Sequence, residues 1–200
     1  MPTENKIAEP LKVERSTVTK LVITGAASLD PINVFLEDLA PCKGKITVSC
    51  WDKSWHAYWG GMWDGLTIGQ FFCRLDEDYV IGYFSPSLRS MRFSNDALMT
   101  LAKKSVIDRR RMRKGYWEFG DSLDQEDARD LFDQIDDLRG VESISVGHQQ
   151  SELLTDLFGP EWWHLVDEKA VEPNPVWHYL CRIISAVQQA LGQEQQQVAA

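Results

Sequence analysis

No run of about eighteen apolar residues occurs anywhere in the chain, so nothing in the sequence reads as a membrane-spanning helix. The opening Met1-Pro2-Thr3-Glu4-Asn5-Lys6 is polar and has no apolar stretch behind it, which argues against a secretory or transit segment and predicts a cytoplasmic protein. Cysteine is scarce. Cys42, Cys50, Cys73 and Cys181 are widely and irregularly spaced, a pattern that suggests reduced thiols and not a disulfide framework. No Walker loop, G-x-S-x-G, H-E-x-x-H or dinucleotide fingerprint is present, so the sequence names no catalytic residue and no cofactor. Positive charge is also in deficit: 21 basic residues face 30 acidic ones, for a net charge of −9. A chain so charged repels a phosphate backbone at long range, which disfavours general nucleic-acid coating but leaves room for a local basic patch.

What is present is ordinary for a globular protein: 44% hydrophobic and 26% charged residues, with a mean hydropathy of −0.31. Residues 1–16 lack periodicity and read as a flexible segment, and the glutamine-rich residues 193–200 read as a flexible tail. A single domain over 17–192 is expected between them. Its first half reads as strands at Val18–Thr24, Ile32–Leu39, Lys45–Trp51 and Ser54–Trp59. Pro41-Cys42-Lys43-Gly44 and Asp52-Lys53 supply turns, which makes an antiparallel meander with Ile46, Val48 and Cys50 on one face.

The period changes to 3.6 from Leu66. Ile68, Phe71, Phe72 and Leu75 form the stripe of a short helix, with Thr67 and Gln70 as a capping box. Asp78–Phe84 reads as another strand. Further helices are predicted from Asn95 to Lys114, capped by Ser94 and stopped by Gly115, and after Ser122, which pairs with Gln125 as a second capping box and leads to Gly140. Others follow around Leu153–Phe158 and from Pro175, capped by Asn174, to Leu191. A meander followed by helices implies an α+β fold, the sheet of the first half being covered by helices from the second.

Three patterns can carry chemistry. Trp51, Trp55, Trp59 and Trp63 recur every four residues; they can stack on bases or meet a partner at an exposed rim, or they can simply be core. Residues 103–114 hold Arg109, Arg110, Arg111 and Arg113 in a stretch with a local balance of +6. That end suits phosphates, or it can pair with the acidic helix that follows. The acidic helix, with a balance of −7 over Asp121–Glu142, carries Glu126, Asp130, Asp133 and Asp137 at i, i+4, i+7 and i+11, a stripe opposite its apolar face. Carboxylates in a row resemble phosphates in a row, as in a DNA mimic. His178 and Cys181 stand one turn apart without a second pair and read as core, not as metal ligands, and Asp167-Glu168-Lys169 has a nuclease-like spacing outside any strand.

The succession Lys20-Leu21-Val22-Ile23-Thr24, Leu29-Asp30-Pro31, Lys45-Ile46-Thr47-Val48, Trp59-Gly60-Gly61-Met62, Thr67-Ile68-Gly69-Gln70-Phe71-Phe72, Glu172-Pro173-Asn174-Pro175 and Tyr179-Leu180-Cys181-Arg182-Ile183 resembles small accessory proteins of tailed phages and prophages of enteric bacteria. The resemblance spans most of the chain. It brings no catalytic residue, and implies a protein that works on nucleic acid or binds and redirects a host protein. The expectation is therefore a non-enzymatic protein, without metal or cofactor, in the cytoplasm of a bacterial host. A host protein would be bound through Glu126, Asp130, Asp133, Asp137, Trp55 and Trp59. The alternative partner is nucleic acid, bound through Arg109, Arg110, Arg111, Arg113 and Trp51.

Overall fold

The computed structural model describes residues 11–13, 15–63, 65–111 and 122–199. They form two compact units, the first from the chain up to Leu88 together with Tyr179 onward, the second from Arg89 to His178. The α+β class and the antiparallel meander of the first half are as expected.

In the first unit, β1 (Thr19–Ile23), β2 (Ile32–Ala40), β3 (Lys43–Cys50) and β4 (Lys53–Trp59) lie in the order β1-β2-β3-β4, every pair antiparallel. Strict alternation sets the face. Ile32, Val34 and Leu36 of β2, Ile46, Val48 and Cys50 of β3, and Ala57 and Trp59 of β4 are all buried. The β2–β3 connection is tighter than the four residues expected: Ala40 already pairs with Lys43. Pro41 supplies the fixed φ, and Cys42 takes the left-handed position at φ +60°. Gly44 is obligatory in another sense, because a Cβ there would lie 2.7 Å from Cβ of Ile68.

Ile68 opens α1 (Ile68–Phe72), whose Thr67/Gln70 capping box forms as predicted, the Gln70 amide donating to Thr67 Oγ1 at 3.3 Å and the Thr67 amide to Gln70 Oε1 at 3.1 Å. The next segment departs from expectation. Glu77–Phe84 is helix α2, not a strand, because Asp76 caps it through the Asp78 amide, Glu77 and Asp78 complement its N-terminal dipole, and Val80, Ile81 and Phe84 fall on one buried helical face.

The long helix α8 (Pro175–Ala199) is capped by Asn174, whose side chain accepts from the Val176 amide, and runs on through the glutamine-rich end. From Tyr179 onward it belongs to the first unit. There it buries Leu180, Ile183, Ile184, Val187 and Leu191. Gln188 donates to the carbonyls of Phe72 and Leu75, satisfying groups that the end of α1 leaves open.

The second unit contains a two-stranded ribbon, β5 (Met91–Phe93) with β6 (Val171–Pro173), and helices α3 (Asn95–Arg111), α4 (Gln125–Gln134), α5 (Ile144–Gly147), α6 (Ser151–Phe158) and α7 (Trp162–Lys169). A 3₁₀ segment, Ile135–Gly140, continues α4. These helices bury a core of their own, with Leu98, Ala102, Leu131, Leu138, Leu154, Leu157 and Trp162 inside. So α8 is the second-half helix that serves the sheet unit. Ser94 caps α3 as expected, but α4 starts on Asp124, whose carboxylate accepts from the amides of Glu126 and Asp127, and not on a Ser122 box. The predicted end of α3 at Lys114 and Gly115 lies outside the described residues, as do residues 1–10.

Candidate functional site

α4 is amphipathic for a plain reason. Ala128 and Leu131, followed by Ile135 and Leu138, face the core of the second unit, which leaves Glu126, Asp130, Asp133 and Asp137 on the outside. All four are exposed, and none makes an ion pair among the described residues. Glu126, Asp130 and Asp133 lie on one line of the α-helix. Asp137 stands in the 3₁₀ segment, where each residue advances by about 120° in place of 100°, so it turns off that line by roughly 40°. Nearby Asp136 is held by Arg139 at 2.9 Å.

The basic end of α3 divides into two kinds of arginine. Arg109 is only 8% exposed, and its guanidinium donates to the carbonyl of Asp156 at the end of α6. It is a packing residue, and the phosphate role given to it by the sequence is corrected by that burial. Arg110 and Arg111 are exposed. Neither pairs with a carboxylate among the described residues, so the expected ion pairing with the acidic helix does not occur there. Arg113 lies outside the described residues. Arg110 and Arg111 line an open groove of about 410 Å³ with Gln125, Arg129 and Asp133, over a floor of Val106, Ile107, Ala128 and Phe132. The sequence suggested neither Arg129 nor Phe132. Sequence periodicity places Phe132 on the apolar stripe with Ala128 and Leu131, yet Phe132 and Ile107 are each 40% exposed, which only the packing of the two helices reveals.

The tryptophans do not share a face. Trp59 is 4% exposed and sits at the centre of an aromatic cluster, with ring centroids 5.7 Å from Phe71, 6.4 Å from Phe72 and 5.3 Å from Tyr83. It has no surface to offer a partner, which corrects its assignment to an exposed rim. Its indole nitrogen finds no acceptor among the described residues. Trp55 is half-buried on the same inward face, opposite Val48. Trp63 packs edge-on against Phe71 and remains 56% exposed.

Trp51 differs from all of these: at φ +53° it opens the two-residue β3–β4 turn and is 79% exposed. With Asp30, Asp52, Lys53 and Tyr179 it lines a second hollow of about 380 Å³. The Tyr179 hydroxyl donates to Cys50 Sγ at 3.3 Å, and Lys53 and Arg182 lie over its ring at 5.7 and 5.8 Å. The hydrogen bond to Cys50, then burial and the nearby Asp30 and Asp52, push its phenol up to about 12. Trp51 and the arginines thus belong to different units.

Among the described residues no group of three or more His, Cys, Asp or Glu is arranged to hold a metal ion. Burial pushes the thiols of Cys73 and Cys181 up, away from nucleophilic thiolate. His178 is exposed, contrary to its reading as core, and Asp167, Glu168 and Lys169 are exposed on α7 with Lys169 paired to Glu168. No helix among the described residues is long and apolar enough to cross a membrane.

No curated protein and no solved structure matches the chain. A protein family described as a phage family matches residues 11–193, the span that holds every candidate residue above. The chain belongs to this phage family, Phage_phiTE_072.

Proposed function

We propose that this phage protein acts without catalysis, by binding a protein of the bacterial host through the outer face of α4, its carboxylates standing in for the phosphates that a DNA-handling partner recognises. The observation that carries the reading is the exposed line Glu126, Asp130 and Asp133, with Asp137 beside it, none of them in an ion pair among the described residues. Helix stability accounts for part of that charge only. Glu126 and Asp127 are favoured in the first turn, but Asp133, Asp136 and Asp137 gather towards the negative end, where each carboxylate costs about 0.3–1 kcal/mol. A surface that carries this cost gains from a cationic partner. Phe132, 40% exposed beside the stripe, supplies the apolar contact that charge alone lacks.

The test is an affinity capture of the tagged protein from host lysate, split into nuclease-treated and untreated halves, followed by titration of the purified partner. One host protein at near-equal stoichiometry in both halves is expected. Asp130→Lys with Asp133→Lys should then weaken binding more than tenfold and leave thermal stability nearly unchanged. Retained binding would remove the stripe from the interface. Capture that vanishes with nuclease would move the reading to the nucleic-acid alternative.

A further inference from the structure

We infer that the groove between the end of α3 and the start of α4 is a binding site for a nucleoside phosphate, which shares Phe132 and Asp133 with the host-protein surface above but does not rest on that reading. Among the described residues, three guanidiniums, of Arg110, Arg111 and Arg129, line one concavity, against the carboxylate of Asp133. None of the three arginines makes an ion pair among the described residues. The α3 dipole explains two of the positive charges, since cations are favoured at a helix C-terminus. It does not explain Arg129, which comes from the facing helix and adds a third like charge to the same space. Like charges gathered this way repel one another, and a bound anion relieves them.

The floor narrows the class of anion. Ile107 and Phe132 are each 40% exposed, so apolar surface lies directly beside the guanidiniums. A bare inorganic anion leaves that surface wet, whereas a ligand with a planar apolar ring and a charged end covers both parts. Guanidinium forks match phosphate oxygens in pairs, and an aromatic ring offers a stacking face to a base. Gln125, which also lines the groove, carries both a donor and an acceptor suited to a base edge. The open groove, about 410 Å³, has room for a ligand of nucleotide size. Net charge points the same way: at −9 the chain repels a long polyanion far more than a ligand with a few charges.

The experiment is calorimetric titration of the full chain, at low ionic strength with chelator present, using ATP, GTP, CTP and UTP in turn, with adenosine and tripolyphosphate as partial probes. At least one nucleotide should bind, and at least tenfold more tightly than either partial probe. Arg110→Gln and Arg129→Gln should each weaken it tenfold or more. Arg129→Lys, which keeps the charge but loses the fork, should fall between wild type and Arg129→Gln. Phe132→Leu should weaken nucleotide while leaving tripolyphosphate binding unchanged, a split that separates a lost stacking face from a damaged fold. The inference is overturned if no nucleotide binds, if tripolyphosphate binds as tightly as every nucleotide, or if the arginine variants bind as wild type does.

Discussion

The backbone amide of Ile68 donates to Oδ1 of Asp38 at 2.7 Å, joining the first residue of α1 to a strand residue thirty positions earlier. The amide is one of those that a helix N-terminus leaves without an intrahelical partner, and here the sheet provides the acceptor. It lies where the β2–β3 register shifts, between Asp38 and Ala40. Asp38→Ala should therefore destabilise the chain by about 1–2 kcal/mol, as for loss of a helix cap. Asp38→Asn retains an acceptor oxygen and should cost less. Urea unfolding followed by circular dichroism measures both, and an Ala variant as stable as wild type would show the contact to be incidental.

Adjacent arginines on α3 should behave oppositely. Arg109 is buried and holds the Asp156 carbonyl, so Arg109→Ala removes packing and leaves that carbonyl without its donor, at a cost of roughly 1–3 kcal/mol. Arg110 is exposed and makes no ion pair among the described residues, so Arg110→Ala should stay within about 0.5 kcal/mol of wild type. Equal effects on the melting temperature would mean that the distinction between the two arginines is wrong.

That pair also marks where sequence reading stops. A run of basic residues is visible as composition, and so is its place on a helix, but which member turns inward depends on where α6 packs against α3. Local rules were enough for the meander, for the Thr67 and Asn174 caps and for the line from Glu126 to Asp133, because alternation, capping chemistry and the 3.6 period are properties of neighbouring residues; they missed the change to a 3₁₀ segment that turns Asp137 aside. They failed at Glu77–Phe84, where Tyr79, Ile81 and Tyr83 imitate a strand and the deciding signal was the acidic cap at Asp76. They failed again for the tryptophans. The spacing of four is real, but the turn at Trp51 breaks the strand, so Trp55 and Trp59 point inward while Trp51 does not. The groove was not legible at all, since Arg129 and Phe132 join Arg110 only once two helices are packed side by side.

Tyr179 provides a pH test. The hydrogen bond to Cys50 and burial push its phenol up from the ordinary 10 to about 12 in the folded chain. A group whose folded value is raised contributes stability that is fully present below the unfolded value and lost as pH rises through the folded one. Stability should thus fall between about pH 10 and pH 12. Tyr179→Phe should make that decline shallower, and in a phenolate absorbance titration it should remove the component that ionises at the highest pH. Cys50→Ala keeps the phenol and removes its acceptor, so the highest-pH component should move down towards the ordinary range; a Cys50→Ala titration that superimposes on that of wild type would exclude the Cys50 contact as the cause.

Asp133 belongs both to the carboxylate stripe and to the rim of the arginine groove, and this lets one substitution separate two proposals. Asp133→Asn removes a negative charge at nearly constant shape. At the groove it takes away a carboxylate that competes with an anionic ligand for Arg110, Arg111 and Arg129, so nucleotide should bind several-fold more tightly. At the stripe it deletes a charge that a cationic host protein would contact, so partner binding should weaken several-fold. The two titrations, run on the same preparation, should move in opposite directions, and both should lose their difference from wild type as salt is raised. Weakening of both would mean that the substitution disturbs α4 itself. Tighter nucleotide with unchanged partner affinity would keep the groove and move the host interface elsewhere.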